Sequence, residues 1–221
     1  MARSTAQPAL TEESLVAATL EVMRREGATG FTMRDLGDEL GTSAMAPYHH
    51  VKNKDDLLRK VADHVWGTIS IPPPDSGPWH VRLRAAVLAE REALRPYPGL
   101  DSAVMFLQVP NKRAFEDAEL DLLLESGAGP ARAVPAFRML MSWVAGHRFI
   151  ESALRDPEKR RPPGQKGKAQ RMSEDRRLVP DPTGEAYFAF GLDTYIAGLR
   201  VQFGTDVVAP TAAAGEGQES A

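Results

Sequence analysis

Apolar residues recur at helical spacing along most of the chain, and no segment shows the strict alternation of a half-buried strand. Residues 1–10, polar and small with Pro8, predict a disordered arm. Thr11 then stands as an N-cap, with Glu12 and Glu13 in the first turn, where carboxylates suit the positive end of the helix dipole. Leu15, Thr19, Val22 and Met23 form the buried stripe of that helix, and Gly27 is placed to end it. Phe31-Thr32-Met33-Arg34-Asp35-Leu36 supplies the next start: Thr32 as cap, Asp35 three residues on as its reciprocal partner, and Phe31 and Leu36 as a hydrophobic staple. A short helix over 33–40 follows, stopped by Gly41. Thr42 or Ser43 caps a third short helix through Tyr48 and His49. A fourth runs from about Asp55 to Trp66, with Leu57, Leu58, Val61 and Val65 on its apolar face.

The proline-rich run at 71–78 cannot continue a helix and predicts a domain junction. Beyond it, helical patterns occupy 79–95, 101–108, 111–126, 130–155 and 183–204. Between them, residues 156–182 are polar and poor in core-forming groups and predict a mobile loop, and 205–221 a disordered tail. The expected fold is therefore all-α, with a small module over 11–66 and a larger one over 79–204.

Composition removes several chemistries. The 221 residues include no cysteine, so disulfides, thiol catalysis and thiolate zinc sites are excluded. No signal-peptide pattern opens the chain. Arg138 and Asp193 interrupt the apolar stretches before they could cross a bilayer, so a cytoplasmic protein with no membrane partner is expected. The net charge of −3 gives no general support to nucleic-acid binding, and any such contact must be local. Arg34, Lys52 and Lys54 are the cations placed to meet phosphates.

Three short helices, the second and third joined by a tight glycine turn, have the spacing of a helix-turn-helix, although a small bundle with no nucleic-acid role fits the same pattern. Thr32-Met33-Arg34-Asp35-Leu36, Gly41-Thr42-Ser43 and Tyr48-His49-His50-Val51-Lys52-Asn53-Lys54 together resemble the DNA-binding domain of the TetR family of regulators, in its tetracycline-repressor-like class. That resemblance implies that Tyr48 and Lys54 hold phosphates, that Thr32 and Arg34 contact backbone, and that Ser43, Ala44, Met45, Ala46 and His49 face base edges. His50 is expected to pack or to bond the turn locally. Pro47 departs from the family pattern. It removes an amide donor and disfavours helical geometry at Ala46, so residues 43–46 are expected as a tight turn, with regular structure starting near Pro47.

Residues 79–204 resemble the family's ligand-binding and dimerisation domain through Gly146-His147, Glu151 and the run Phe188 to Leu199. The resemblance implies a homodimer that binds palindromic double-stranded operator DNA and is released by a small apolar or aromatic effector. Phe188, Gly191, Leu192, Tyr195, Ile196, Gly198 and Leu199 are the expected dimer interface, although the same surface could cover the chain's own core. Met105, Phe106, Phe115, Leu122, Met139, Trp143 and His147 are the candidate ligand contacts, each also a candidate for ordinary core. Ser70 stands near the position where the tetracycline repressors use a histidine, so a tetracycline–magnesium complex is not implied, and no cofactor or metal is expected. Two other readings stay open: a ligand-binding helical dimer that has lost DNA binding, and a helical-pocket enzyme using His147 and Glu151 as acid and base.

Overall fold

A computed structural model describes residues 10–155, 181 and 183–204. The expected arm except Leu10, which is half-buried, the tail and all of the expected loop except Asp181 lie outside the described residues. Within them every regular element is helical. The helices are α1 (Glu12–Glu26), α2 (Met33–Glu39), α3 (Lys54–Gly67), α4 (Trp79–Leu94), α5 (Leu100–Ala103), α6 (Pro110–Leu124), α7 (Pro130–Arg155) and α8 (Glu185–Phe203). Two 3₁₀ turns, Ala46–His49 and Pro74–Ser76, complete the set.

Local signals account for most boundaries. Thr11 accepts from the Ser14 N–H at 3.1 Å while the Ser14 hydroxyl answers the Thr11 N–H, closing a capping box. Thr32 and Asp35 repeat the device at α2. Asn53, passed over in the sequence, caps α3 by accepting from the Asp56 N–H at 2.8 Å.

Two expected helices are corrected. The segment expected as a third helix is only the 3₁₀ turn Ala46–His49, preceded by a tight turn at 43–45. Pro47 lacks the amide an α-turn would use there. The helix expected over 101–108 is the single turn α5; turns follow at 104–106, and Val109, extended before Pro110 (φ −114°, ψ 104°), leads the chain into α6.

The helices enclose two adjoining cores. The first gathers Leu15, Met23, Phe31, Leu36, Leu57, Val61 and Trp66 from the amino-terminal helices, but also Leu94, Tyr97, Leu100 and Phe115 from beyond the prolines. The second packs Leu83, Val87, Leu122, Leu123, Leu140 and Val144 against Phe188, Leu192, Ile196 and Leu199. Burying one such side chain contributes about 1.5–3 kcal/mol, so the first core ties the small module firmly to the larger one.

The seam is also polar. Ala28 N–H donates to Pro98 O at 2.9 Å, Arg24 Nη2 to the Tyr97 hydroxyl at 3.0 Å, and Asn111 N–H to Asp63 Oδ1 at 2.7 Å. Gly67 makes room for the Asn111 amide, since a Cβ there would lie 2.8 Å from Nδ2.

Candidate DNA-binding surface and effector site

α2 and the Ala46–His49 turn meet backbone to backbone. A Cβ on Gly37 would stand 2.9 Å from Ala44 N and 3.0 Å from its Cα, so only glycine lets the recognition segment lie this close. Pro47 is buried under the turn, and Ala44 and Ala46 are half-buried. The residues turned outward are Ser43, Met45 (66% exposed), Tyr48 and His49. Thr32 and Arg34 are exposed nearby at the start of α2, on the side of the capping box. Lys54 behaves differently from a free surface cation: its ammonium donates to the Phe31 carbonyl and sits 4.3 Å from the Phe31 ring centroid. It thereby pins α3 to the turn before α2.

The seven candidate ligand contacts are not brought together. Phe115 belongs to the first core and Leu122 to the second. Met105 and Phe106 (92% exposed) lie on the outer surface between α5 and α6. Met139 and Trp143 border a shallow groove of about 400 Å³ on the outer side of α7 and α8, together with Tyr187, Phe190, Gly191 and Thr194. Only His147 is buried next to polar partners.

Those partners form a cluster of charged groups that apolar periodicity could not disclose. Where α4, α5, α6 and α7 converge, Arg91 is paired with Glu151, Arg148 lies 2.7 Å from Glu90, and His147 Nε2 is 3.3 Å from Glu151 Oε1. Trp66 donates its indole N–H to Glu90 at 3.1 Å. Burial lowers the His147 pKa, partly offset by the Glu151 charge. Glu119 is completely buried, and neither carboxyl oxygen has a hydrogen-bond partner among the described residues. Desolvation, followed by the charge of Glu90, pushes its pKa well above the usual carboxylate range. Among the described residues no group of three or more His, Asp or Glu side chains is arranged to hold a metal, and no helix is long and apolar enough to cross a membrane.

α8 turns four of the seven expected interface residues inward and leaves Gly191 and Tyr195 half-buried and Gly198 exposed. Phe188, Leu192, Ile196 and Leu199 are buried in the chain's own second core. Gly191 faces Trp143 of the same chain, and the Tyr195 hydroxyl donates to the Ala136 carbonyl, with burial pushing that phenol up to about 12. The strongly apolar 3.6-residue stripe read from the sequence is thus the inward one. The outward face carries Tyr187, Phe190 (71% exposed), Thr194, Gly198 and Val201, and on α7 Met139, Phe149 and Ile150.

A capped short helix, a glycine-packed turn and an outward recognition segment, mounted on a larger all-helical body, define a helix-turn-helix regulator. Residues 15–61 match the family of bacterial regulatory proteins designated tetR. The chain is 30% identical over 201 residues to the class G tetracycline repressor protein of Vibrio anguillarum, covering 86% of this chain and 94% of that one. The crystal structure of TetR from Acinetobacter baumannii AYE superposes with a TM-score of 0.69 at 26% identity, over 88% of this chain and 99% of that one. A substituted form of that repressor in complex with minocycline gives 0.64 at the same identity, over 88% and 98%. The chain belongs to the TetR family and is a transcriptional regulator.

Proposed function

We propose that the chain is a cytoplasmic repressor that binds a palindromic operator as a homodimer and leaves it when a small effector occupies the larger domain. The observation that carries this reading is the display of Ser43, Met45, Tyr48 and His49 on a recognition segment whose only proline is turned inward. Residues 11–66 are the reading head, and 79–204 the effector and dimerisation domain. Thr32, Arg34, Tyr48 and Lys54 position the head on phosphates, with Lys54 exchanging its bond to Phe31 for one to the DNA backbone. Ser43, Met45 and His49 read base edges, and Ala44 and Ala46 offer only apolar contact.

Two half-sites one helical turn apart need a two-fold axis, and the outward face of α7 and α8 supplies a self-complementary apolar surface for it. Met139, Tyr187, Phe190 and Val201 join Gly191, Tyr195 and Gly198 on it, in place of the inward Phe188, Leu192, Ile196 and Leu199. The complex of a relative with minocycline supports a small-molecule effector acting on this body. An effector that favours the DNA-incompetent arrangement by about 1–3 kcal/mol per site lowers operator occupancy roughly 5–150-fold.

Selection of bound sequences from random duplex DNA, at stated salt and with a Tyr48→Ala/Lys54→Ala control, tests the proposal. A palindrome enriched by the native protein and absent from the control is expected. No enrichment even at low salt would overturn DNA recognition.

A further inference from the structure

An open groove of about 510 Å³ runs along the seam between the reading head and the larger domain. That is within the range of about 300–1,000 Å³ in which small organic molecules are held. One wall is the face of α1 from Glu12 to Leu20, about 12 Å long at about 1.5 Å per residue. The other is the face of α3 from Lys60 to Gly67, and Asn111 at the start of α6 stands beside Gly67 at one end. Val16 and Leu20, all but buried, give the groove an apolar lining, together with Ala17, which is exposed, and Gly67, which puts no side chain in the way.

Its border is acidic. Glu12, Glu13 and Asp63 face the single cation Lys60, and the acids stay in excess even with a proton added to His64. Lys60 is engaged by Glu12 at 2.7 Å. Glu13 forms no ion pair among the described residues, and Asp63, which accepts the Asn111 N–H at 2.7 Å, is not paired with a cation there either. An apolar strip edged by two carboxylates without cations complements a molecule that has an apolar body and one positive end. An anion would be repelled from it, and a neutral molecule would leave both carboxylates unanswered.

We propose that this groove binds a small organic cation with an apolar body, and that its occupancy regulates operator binding. The second clause rests on the operator-binding reading given above. Asn111 supplies the route. Its backbone N–H and its side-chain amide both donate to Asp63, at 2.7 and 3.0 Å, and so fix α6 of the larger domain to α3 of the head. A molecule seated against α1, α3 and Asn111 together favours one setting of the head on the body. A ligand with such a preference changes operator affinity, and the operator changes the ligand's affinity by the same factor.

4-Phenylbutylamine is the probe, titrated calorimetrically into the full chain beside 4-phenylbutan-1-ol as its uncharged counterpart. Saturable binding is expected, with the alcohol weaker by about fivefold, a difference of about 1 kcal/mol. Ala17→Trp fills the groove from an exposed position and is expected to weaken the amine about tenfold or more. Glu13→Gln, also exposed, removes one unpaired charge and is expected to weaken it about threefold. Thermal melts establish that each variant is folded. Absent binding, equal binding of amine and alcohol, or undiminished binding to either folded variant would overturn the site. Affinity for the amine that falls as the protein is concentrated would assign the groove to a second copy of the chain, and overturn it too. Operator affinity is measured first without the amine, so loss of the repressor reading is distinguishable from loss of this one. Saturating amine is expected to change operator affinity about fivefold or more. Amine bound in the groove with operator affinity unchanged would overturn its regulatory role.

Discussion

Gly191 on α8 lies directly against the indole of Trp143 on α7: a methyl group at Gly191 would stand 2.5 Å from Cζ2 and 3.3 Å from Cε2. Trp143 is itself tilted against Phe188, with ring centroids 4.9 Å apart, so it has nowhere inward to retreat. Gly191→Ala is expected to destabilise the fold by about 1–3 kcal/mol through overpacking. Urea denaturation followed by Trp fluorescence reads this directly, and an unchanged midpoint would show that the indole yields freely.

Gly37 poses the same constraint against backbone rather than side chain. Gly37→Ala would drive Ala44 and the recognition segment away from α2 by a fraction of an ångström. Operator affinity is expected to fall about tenfold or more while the fold of the larger domain persists, a combination that circular dichroism and a gel-shift titration separate. Retained affinity would mean that the segment's distance from α2 does not set its fit to the groove.

Glu119 makes stability fall with rising pH. Its folded pKa is raised above the unfolded value, so the folded chain binds the extra proton between the two. Its neutral form is accommodated in full below the unfolded pKa near 4.5, and the contribution is lost progressively as pH rises toward the folded one. The slope from this group is at most about 1.4 kcal/mol per pH unit. Glu119→Gln, which keeps the shape and cannot ionise, should flatten the decline and be more stable than the native chain at pH 7.5. Parallel stability curves for the two proteins would contradict this.

Charge on the outward face of α8 should separate the protomers. Phe190→Glu places a carboxylate in the middle of an exposed apolar stripe while leaving the inward stripe untouched. Sedimentation velocity is expected to show a monomer that binds a single half-site weakly. A dimer of native stability would move the interface elsewhere.

The sequence made the capped helices readable because caps act locally: Thr11, Thr32 and Asp35 each meet partners within one turn. It misdirected at α8, where two stripes share one helix. The more apolar one, Phe188 to Leu199, belongs to the chain's own core, and periodicity carries no sign saying which side a partner covers. The polar interior was invisible for a related reason. Glu90, Arg91, Glu119 and Arg148 look like solvated helix faces until α4, α6 and α7 close around them. Phe106, an apolar residue that reads as core, is nearly all in water because α5 ends at Ala103 and leaves it in the turn that follows.

The prolines at 71–78 divide the chain on paper, yet Leu94, Tyr97, Leu100 and Phe115 complete the core begun by Leu15 and Phe31, and Pro98 holds Ala28. A reading head cut out at those prolines would carry a raw apolar flank. A chimaera that joined this head to a relative's body at that point would inherit a socket shaped for another sequence. Transplanting its operator specificity therefore requires the 95–115 stretch to travel with it, so that the unit of exchange is two separate pieces of chain.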